Sequence, residues 1–253
     1  MKKIISITTL ICLLFTGFIS YFQVKEIKNR NEQAHVQEQE EAGAEITPVD
    51  VPQVDMAALY ASRGPEEIVG TVNGRDVTWS EYFYFYSGFV EEIENLFLYF
   101  GAYGYALSWD DEYEEGVKFA AVPEQNASQA IRQYEAMEIF AQEKSVTLSE
   151  EEEEALKAQV LSDAEKYCGE GATEEQLEEY LAPVYLPLPL YKQMLHTNAV
   201  YTALLDRLYG GASEDGDNEA ALSAALQERF EDVTFEPAES FVMPSIRDYL
   251  IER

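Results

Sequence analysis

The chain has 253 residues, of which 48 are acidic and 17 are basic, and its formal net charge at pH 7 is −31. Such a surface repels phosphate groups, so the composition excludes nucleic-acid binding and disfavours binding to anionic lipid head groups. Hydrophobic residues make up 47% of the chain and aromatic residues 13%. This is too apolar for a disordered acidic polypeptide and predicts a folded core.

The amino-terminal end contains an uncharged, largely apolar run at residues 4–24. At about 1.5 Å of rise per residue, a helix of this length spans roughly 30 Å, the hydrocarbon thickness of a bilayer. We therefore predict a cytoplasmic tail at residues 1–3 and a transmembrane anchor at residues 4–24. The alternative is a cleaved signal peptide, although both candidate cleavage positions place a phenylalanine where a small residue is needed. Either interpretation places the rest of the chain on the extracytoplasmic side, as a single-pass protein of the cell membrane or as a secreted protein.

Residues 25–65 are rich in Gln, Glu, Ala and Pro and contain few large apolar side chains. This composition predicts a flexible acidic linker. Order is expected from residue 66, and we assign residues 66–253 to one domain. Cys168 is the one cysteine of that domain, so an intramolecular disulfide cannot form there.

The domain opens with a hairpin signal that leads into a helix. Two β-rich runs, residues 68–72 and 75–79, flank an Asn-Gly pair, which favours a tight β-hairpin. Thr78 and Glu81 have the spacing of a capping box, so a helix is expected from about residue 80 to about residue 100.

The segment at residues 79–105 is unusual because it contains 12 of the aromatic residues of the chain. Aromatic and aliphatic side chains recur there at helical spacing and predict an apolar stripe along the helix. One interpretation is an ordinary hydrophobic core. The other is a partly exposed apolar groove that binds extended or unfolded chains.

The remaining pattern predicts five further helices, a late strand that adds to the hairpin, and a final helical turn. The fold class is therefore mainly α with a small β-hairpin. The helices are expected at residues 126–144, 149–168, 174–182, 188–209 and 218–230, and the strand within 233–243.

Few residues of the domain could support catalysis. His35 lies in the linker, and His196, the second histidine of the chain, has no catalytic partner visible in the sequence. Cys168 lies at a predicted helix end, where the helix dipole disfavours a thiolate. The acidic run from Asp215 lacks the glycine and the final glutamate of a calcium-binding loop. We therefore predict no enzymatic activity, no cofactor and no metal site.

Three segments resemble, in order, the chaperone domain of SurA-type and PrsA-type peptidyl-prolyl isomerases. Residues 68–82 resemble its opening strand, Val-Asn-Gly turn, second strand and capped helix. Residues 130–160 look like its second motif, in which a helix ends in a basic residue and a short turn opens an acidic helix. Residues 191–210 are similar to its long closing helix. The resemblance covers about residues 68–210 and implies a SurA N-terminal-like helical domain.

This resemblance implies an extracytoplasmic chaperone that holds unfolded exported polypeptides without ATP. Full members of the family carry a parvulin-type isomerase domain after the long helix, but 43 residues follow Gly210 here and none is histidine, so no isomerase activity is expected. The client-binding surface is expected to use aromatic and apolar side chains of the two long helices. These side chains are Tyr82, Tyr86, Phe89, Phe97, Phe100, Tyr191, Met194 and Tyr201. Acidic residues around this surface are expected to attract basic client segments.

Two other functions remain open at this point. The same scaffold could be a structural or interaction subunit that holds one specific envelope partner. It could also be a peptidyl-prolyl isomerase, which the missing histidines disfavour.

Overall fold

The computed structural model describes residues 51–102, 106–213 and 216–251. The chain divides into two compact units, Met1–Val49 and Asp50–Arg253, and every described residue belongs to the second unit. The predicted tail, the predicted anchor at residues 4–24 and most of the predicted linker lie outside the described residues. No helix in the described ranges combines the length and apolarity that crossing a membrane requires.

The described part of the chain is mainly helical, with seven α-helices and two small antiparallel sheets. This confirms the predicted class of a mainly α fold with a β-hairpin. The helices are α1 (Met56–Ala61), α2 (Trp79–Ala102), α3 (Val122–Glu143), α4 (Glu150–Cys168), α5 (Glu174–Leu181), α6 (Leu188–Tyr209) and α7 (Asp217–Asp232). The strands are β1 (Ile68–Val72), β2 (Arg75–Thr78), β3 (Glu112–Glu114), β4 (Val117–Lys118) and β5 (Phe235–Pro237).

The larger sheet has the strand order β2-β1-β5. Asn73 and Gly74 form its hairpin turn with φ values of 48° and 82°, as a tight two-residue turn requires, so the predicted hairpin is confirmed. β5 pairs antiparallel with β1, so the strand expected within 233–243 is also confirmed, although it is only three residues long. A Cβ on Gly70 would lie 2.6 Å from the ring of Phe235, and the close approach of β5 therefore requires glycine.

The start of α2 differs in one detail from the predicted capping box. The Glu81 backbone N–H donates to Thr78 Oγ1 at 3.2 Å, as expected. The Glu81 carboxylate, however, accepts two hydrogen bonds from the Arg75 guanidinium at 2.9 Å. Arg75 also reaches Glu135 on α3 at 3.1 Å, so this arginine joins the hairpin to both helices.

The other predicted helices are confirmed with small shifts at their ends. α6 has the predicted bounds, and α4 begins directly after Ser149 as expected. α3 begins four residues earlier than predicted, because Pro123 lies in its first turn, where a missing backbone N–H is tolerated. α3 is central to the core: it packs against α2, α6 and α7.

The capping box of α4 is complete and gives a testable contribution to stability. The Glu152 N–H donates to Ser149 Oγ, and the Ser149 N–H donates to the Glu152 carboxylate at 2.6 Å. We expect Ser149→Ala to lower the free energy of unfolding by about 1 kcal/mol, measured by urea denaturation. Ser162→Ala is the control, because Ser162 is exposed in the same helix. An equal loss in both variants would contradict a capping effect.

The predicted linker ends earlier than residue 65, and this part of the prediction is corrected. Val51 and Val54 are buried, and Leu59 in α1 has no exposed surface. Val54 forms a β-bridge with Leu250, and the Asp55 N–H donates to the Tyr249 carbonyl at 2.7 Å. The partners of this segment lie near the other end of the chain, and local composition therefore gave no sign of its order.

Candidate functional site

Most of the side chains predicted to bind clients lie in the core. Tyr82, Tyr86, Phe97, Tyr191 and Met194 are all buried, with at most 5% of their surface exposed. These five residues cannot contact a client in this structure. Three of the predicted side chains keep accessible surface: Phe89 and Tyr201 are half-buried, and Phe100 is exposed.

The segment after β5 covers one side of the aromatic helix. Phe241 lies over this face of α2, with its ring centroid 5.6 Å from that of Tyr82 and 6.3 Å from that of Trp79. Arg63 holds this segment by donating to the Val242 carbonyl at 2.7 Å. The aromatic stripe near the start of α2 is therefore core, which was the first of the two interpretations of the sequence.

The buried end of α6 contains a polar pair. The Tyr191 hydroxyl donates to Asp163 of α4 at 2.5 Å, and the Gln159 side-chain amide donates to the same carboxylate at 2.9 Å. Burial raises the pKa of the Tyr191 phenol, and its hydrogen bond to Asp163 raises that pKa further. Both residues are buried, so this pair links α4 to α6 and is not a contact surface.

The carboxyl-terminal end of α2 and the hairpin after it expose large apolar side chains. Leu98, Tyr99 and Phe100 of α2 are 47%, 52% and 37% exposed, and Tyr113 of β3 is 54% exposed. We call these four residues the aromatic end. The ring centroids of Tyr113 and Phe119 are 5.5 Å apart, and those of Phe119 and Phe97 are 5.0 Å apart. Phe97 lies about one helical turn before Phe100. The hairpin therefore shares a ring cluster with this end of the helix.

The β3–β4 hairpin is not among the elements that the sequence predicts. Gly116 has a φ of 79°, a left-handed conformation that glycine adopts more readily than other residues. Asp110 pairs with Lys118 at 3.5 Å and with Arg247. Among the described residues, no cation lies within ion-pair distance of the three exposed glutamates of the hairpin, which are Glu112, Glu114 and Glu115. We call these three the acidic rim.

His196 has partners that the sequence did not indicate. Its Nδ1 lies 3.3 Å from Glu138 of α3, and its Nε2 lies 3.6 Å from Glu153 of α4. Thr197 also donates to Glu138, at 3.0 Å. His196, Glu138 and Glu153 belong to three different helices. Their contact therefore depends on tertiary packing and has no sequence signature.

The described residues outside the aromatic end show little sign of a metal, thiol or ligand site. Within the described ranges, no group of three or more His, Cys, Asp or Glu side chains is placed to hold a metal ion. Cys168 is half-buried, and its thiol donates to the Gln176 carbonyl at 3.3 Å. A pocket of about 120 Å³ lies between Tyr86, Glu124 and Ile246, which is small for an organic ligand.

Comparison with known proteins gives no relative. No protein-family model matches the chain, and no curated protein or solved structure matches it either.

Proposed function

We propose that this protein is a membrane-anchored, extracytoplasmic holdase that binds extended or unfolded exported polypeptides and has no isomerase activity. In this proposal residues 4–24 hold the protein at the membrane, and residues 51–251 form a SurA N-terminal-like chaperone domain. The exposure of Leu98, Tyr99, Phe100 and Tyr113 at one end of α2 is the observation that supports client binding. The sequence predicted a surface along the aromatic stripe of α2 and on α6, and the proposal now restricts it to the carboxyl-terminal end of α2 and the neighbouring hairpin.

The chemistry of the aromatic end suits weak binding to many sequences. Tyrosine and phenylalanine rings provide large apolar contact areas without requiring one matching partner shape. Fully burying one large apolar side chain contributes about 1.5–3 kcal/mol. A few such contacts, reduced by the entropy lost when a flexible segment is ordered, give binding that exchanges readily.

Suppression of aggregation tests this proposal. The full chain in lipid nanodiscs is mixed with a chemically denatured client protein, and light scattering is followed during dilution from denaturant. We expect suppression at near-stoichiometric ratios, and we expect Tyr99→Ala/Tyr113→Ala to lose most of it because two of the most exposed rings are removed. Leu161→Ala/Tyr180→Ala is the matched control, since these side chains are exposed on α4 and α5.

The outcomes separate the alternatives. Suppression that persists in Tyr99→Ala/Tyr113→Ala would overturn the aromatic end as the binding surface. No suppression, together with tight capture of one envelope protein, would instead favour a subunit that holds a specific partner. A proline-peptide isomerisation assay is expected to show no rate above background.

A further inference from the structure

We infer that the aromatic end selects client segments in which apolar residues are flanked by lysine or arginine. This inference rests on the proposed function and adds the class of segment that is bound. Two independent features support it: the exposed apolar side chains of the aromatic end and, among the described residues, the lack of cationic partners for the glutamates of the acidic rim. The first would bind any apolar segment, and the second discriminates by charge.

The position of the acidic rim gives it access to a ligand bound on Tyr113. Glu112 and Glu114 are the sequence neighbours of Tyr113 in β3, and successive side chains of a strand point to opposite faces. The side chains of an extended segment beside β3 alternate in the same way, so a segment that places an apolar side chain against Tyr113 directs its two flanking side chains to the face that carries these carboxylates. Opposed side chains on neighbouring strands have Cβ atoms roughly 5 Å apart, and at such distances attraction between opposite charges is only partly screened by physiological salt.

The rim is also electrostatically unbalanced before a ligand binds. Residues 106–118 contain five acids and one base, and that base, Lys118, pairs with Asp110. Glu112, Glu114 and Glu115 thus repel one another without a compensating cation in the described part of the chain. A cationic segment relieves this repulsion, and its lysine or arginine can also lie over an exposed tyrosine ring.

The same charges argue against other occupants. A second copy of this chain would bring an identical acidic rim to the contact, and like charges across a contact are unfavourable. An anionic lipid surface is disfavoured for the same reason. A basic, apolar polypeptide segment is the occupant that complements both features.

Binding of labelled peptides tests the inference. The probes are two fluorescein-labelled peptides with a Phe-Leu-Phe core, one flanked by paired lysines and the other by paired serines. Fluorescence anisotropy with the full chain in nanodiscs is expected to show about tenfold tighter binding of the lysine peptide at roughly 0.05 M salt, and a much smaller preference at roughly 0.5 M.

A matched pair of variants separates local from overall charge. Glu112→Gln/Glu114→Gln/Glu115→Gln is expected to reduce the preference for the lysine peptide to about twofold, because local charge pairing is lost. The control neutralises the same number of exposed glutamates on α4 and α5. It is Glu165→Gln/Glu178→Gln/Glu179→Gln, and it should keep most of the preference. Circular dichroism and thermal melting of each variant check that the fold is retained.

Each outcome has a definite meaning. Equal binding of the two peptides, with both lost in Tyr99→Ala/Tyr113→Ala, would overturn charge selection and leave the proposed function intact. An equal loss of preference in the two glutamine variants would assign the attraction to overall charge and overturn the role of the acidic rim. If neither peptide binds, the inference and the proposed binding surface both fail.

Discussion

Replacing Trp79 with alanine is expected to lower the free energy of unfolding by about 3–5 kcal/mol, the range for deleting a large buried aromatic side chain. Trp79 has no exposed surface, and its ring lies 5.0 Å from Phe83 and 6.3 Å from Phe241. Its indole N–H donates to the Tyr60 carbonyl at 2.9 Å. The side chain therefore joins α1, α2 and the segment after β5, and its removal leaves a cavity among all three.

Trp79→Phe is the matched variant for this measurement. Phenylalanine keeps an aromatic ring at the site but loses the hydrogen bond to Tyr60, so a smaller loss of about 1–2 kcal/mol is expected. Urea denaturation followed by circular dichroism gives both values. Similar small losses in the two variants would show that the site collapses after truncation and that Trp79 does not support the contact of α1 with α2.

Replacing Asp163 with alanine is expected to cost roughly 2–4 kcal/mol, because it leaves the buried Tyr191 hydroxyl and the Gln159 amide without their acceptor. The Tyr191 hydroxyl lies 2.5 Å from the Asp163 carboxylate, a short distance typical of a charge-assisted hydrogen bond. The variant should be measured by urea denaturation beside Asp163→Asn. Asparagine keeps one acceptor oxygen for the Tyr191 hydroxyl, and the Gln159 amide can turn so that its oxygen accepts from the asparagine NH₂ group. The loss of stability in Asp163→Asn should therefore be smaller.

A double-mutant cycle with Tyr191→Phe tests whether the two side chains act together. If the hydrogen bond couples them, the combined variant should lose less stability than the sum of the single losses, since no unpaired hydroxyl remains. Additive losses would show that Asp163 and Tyr191 contribute separately, and that this pair does not link α4 to α6.

Those parts of the fold that depend on neighbouring residues could be predicted from the sequence. The Asn-Gly turn specifies the β1–β2 hairpin through the positive φ of both residues. α4 is specified by Ser149 and Glu152 at its start and by Gly169 at its end. α6 ends directly before Gly210, and its predicted extent followed from that glycine together with its apolar spacing.

Elements that depend on distant residues could not be predicted in this way. α1 follows a segment that pairs with Leu250. The few apolar residues of this segment lie beside a Gln- and Glu-rich stretch, so local composition predicted a linker. The β3–β4 hairpin has three consecutive exposed residues in β3, so it lacks the alternation of apolar and polar residues that indicates a half-buried strand.

The candidate site illustrates the same limit. The aromatic spacing of α2 predicted an apolar stripe but not which part of it the rest of the chain covers. Tyr82 is covered because Phe241 packs on it, and Phe97 is covered by Trp109 and Phe119. The exposed rings lie beyond these contacts, at a helix end whose surroundings depend on long-range packing.

The pairing of the two ends of the described unit has a consequence for the order in which it assembles. α3 to α6 can form from residues close together in the sequence, whereas β1 needs β5, and Val54 needs Leu250. Closing so long a loop costs chain entropy before its contacts are made, and contacts distant in sequence slow folding. The sheet and the bridge are therefore expected to close last, once the helices already hold the two ends near each other.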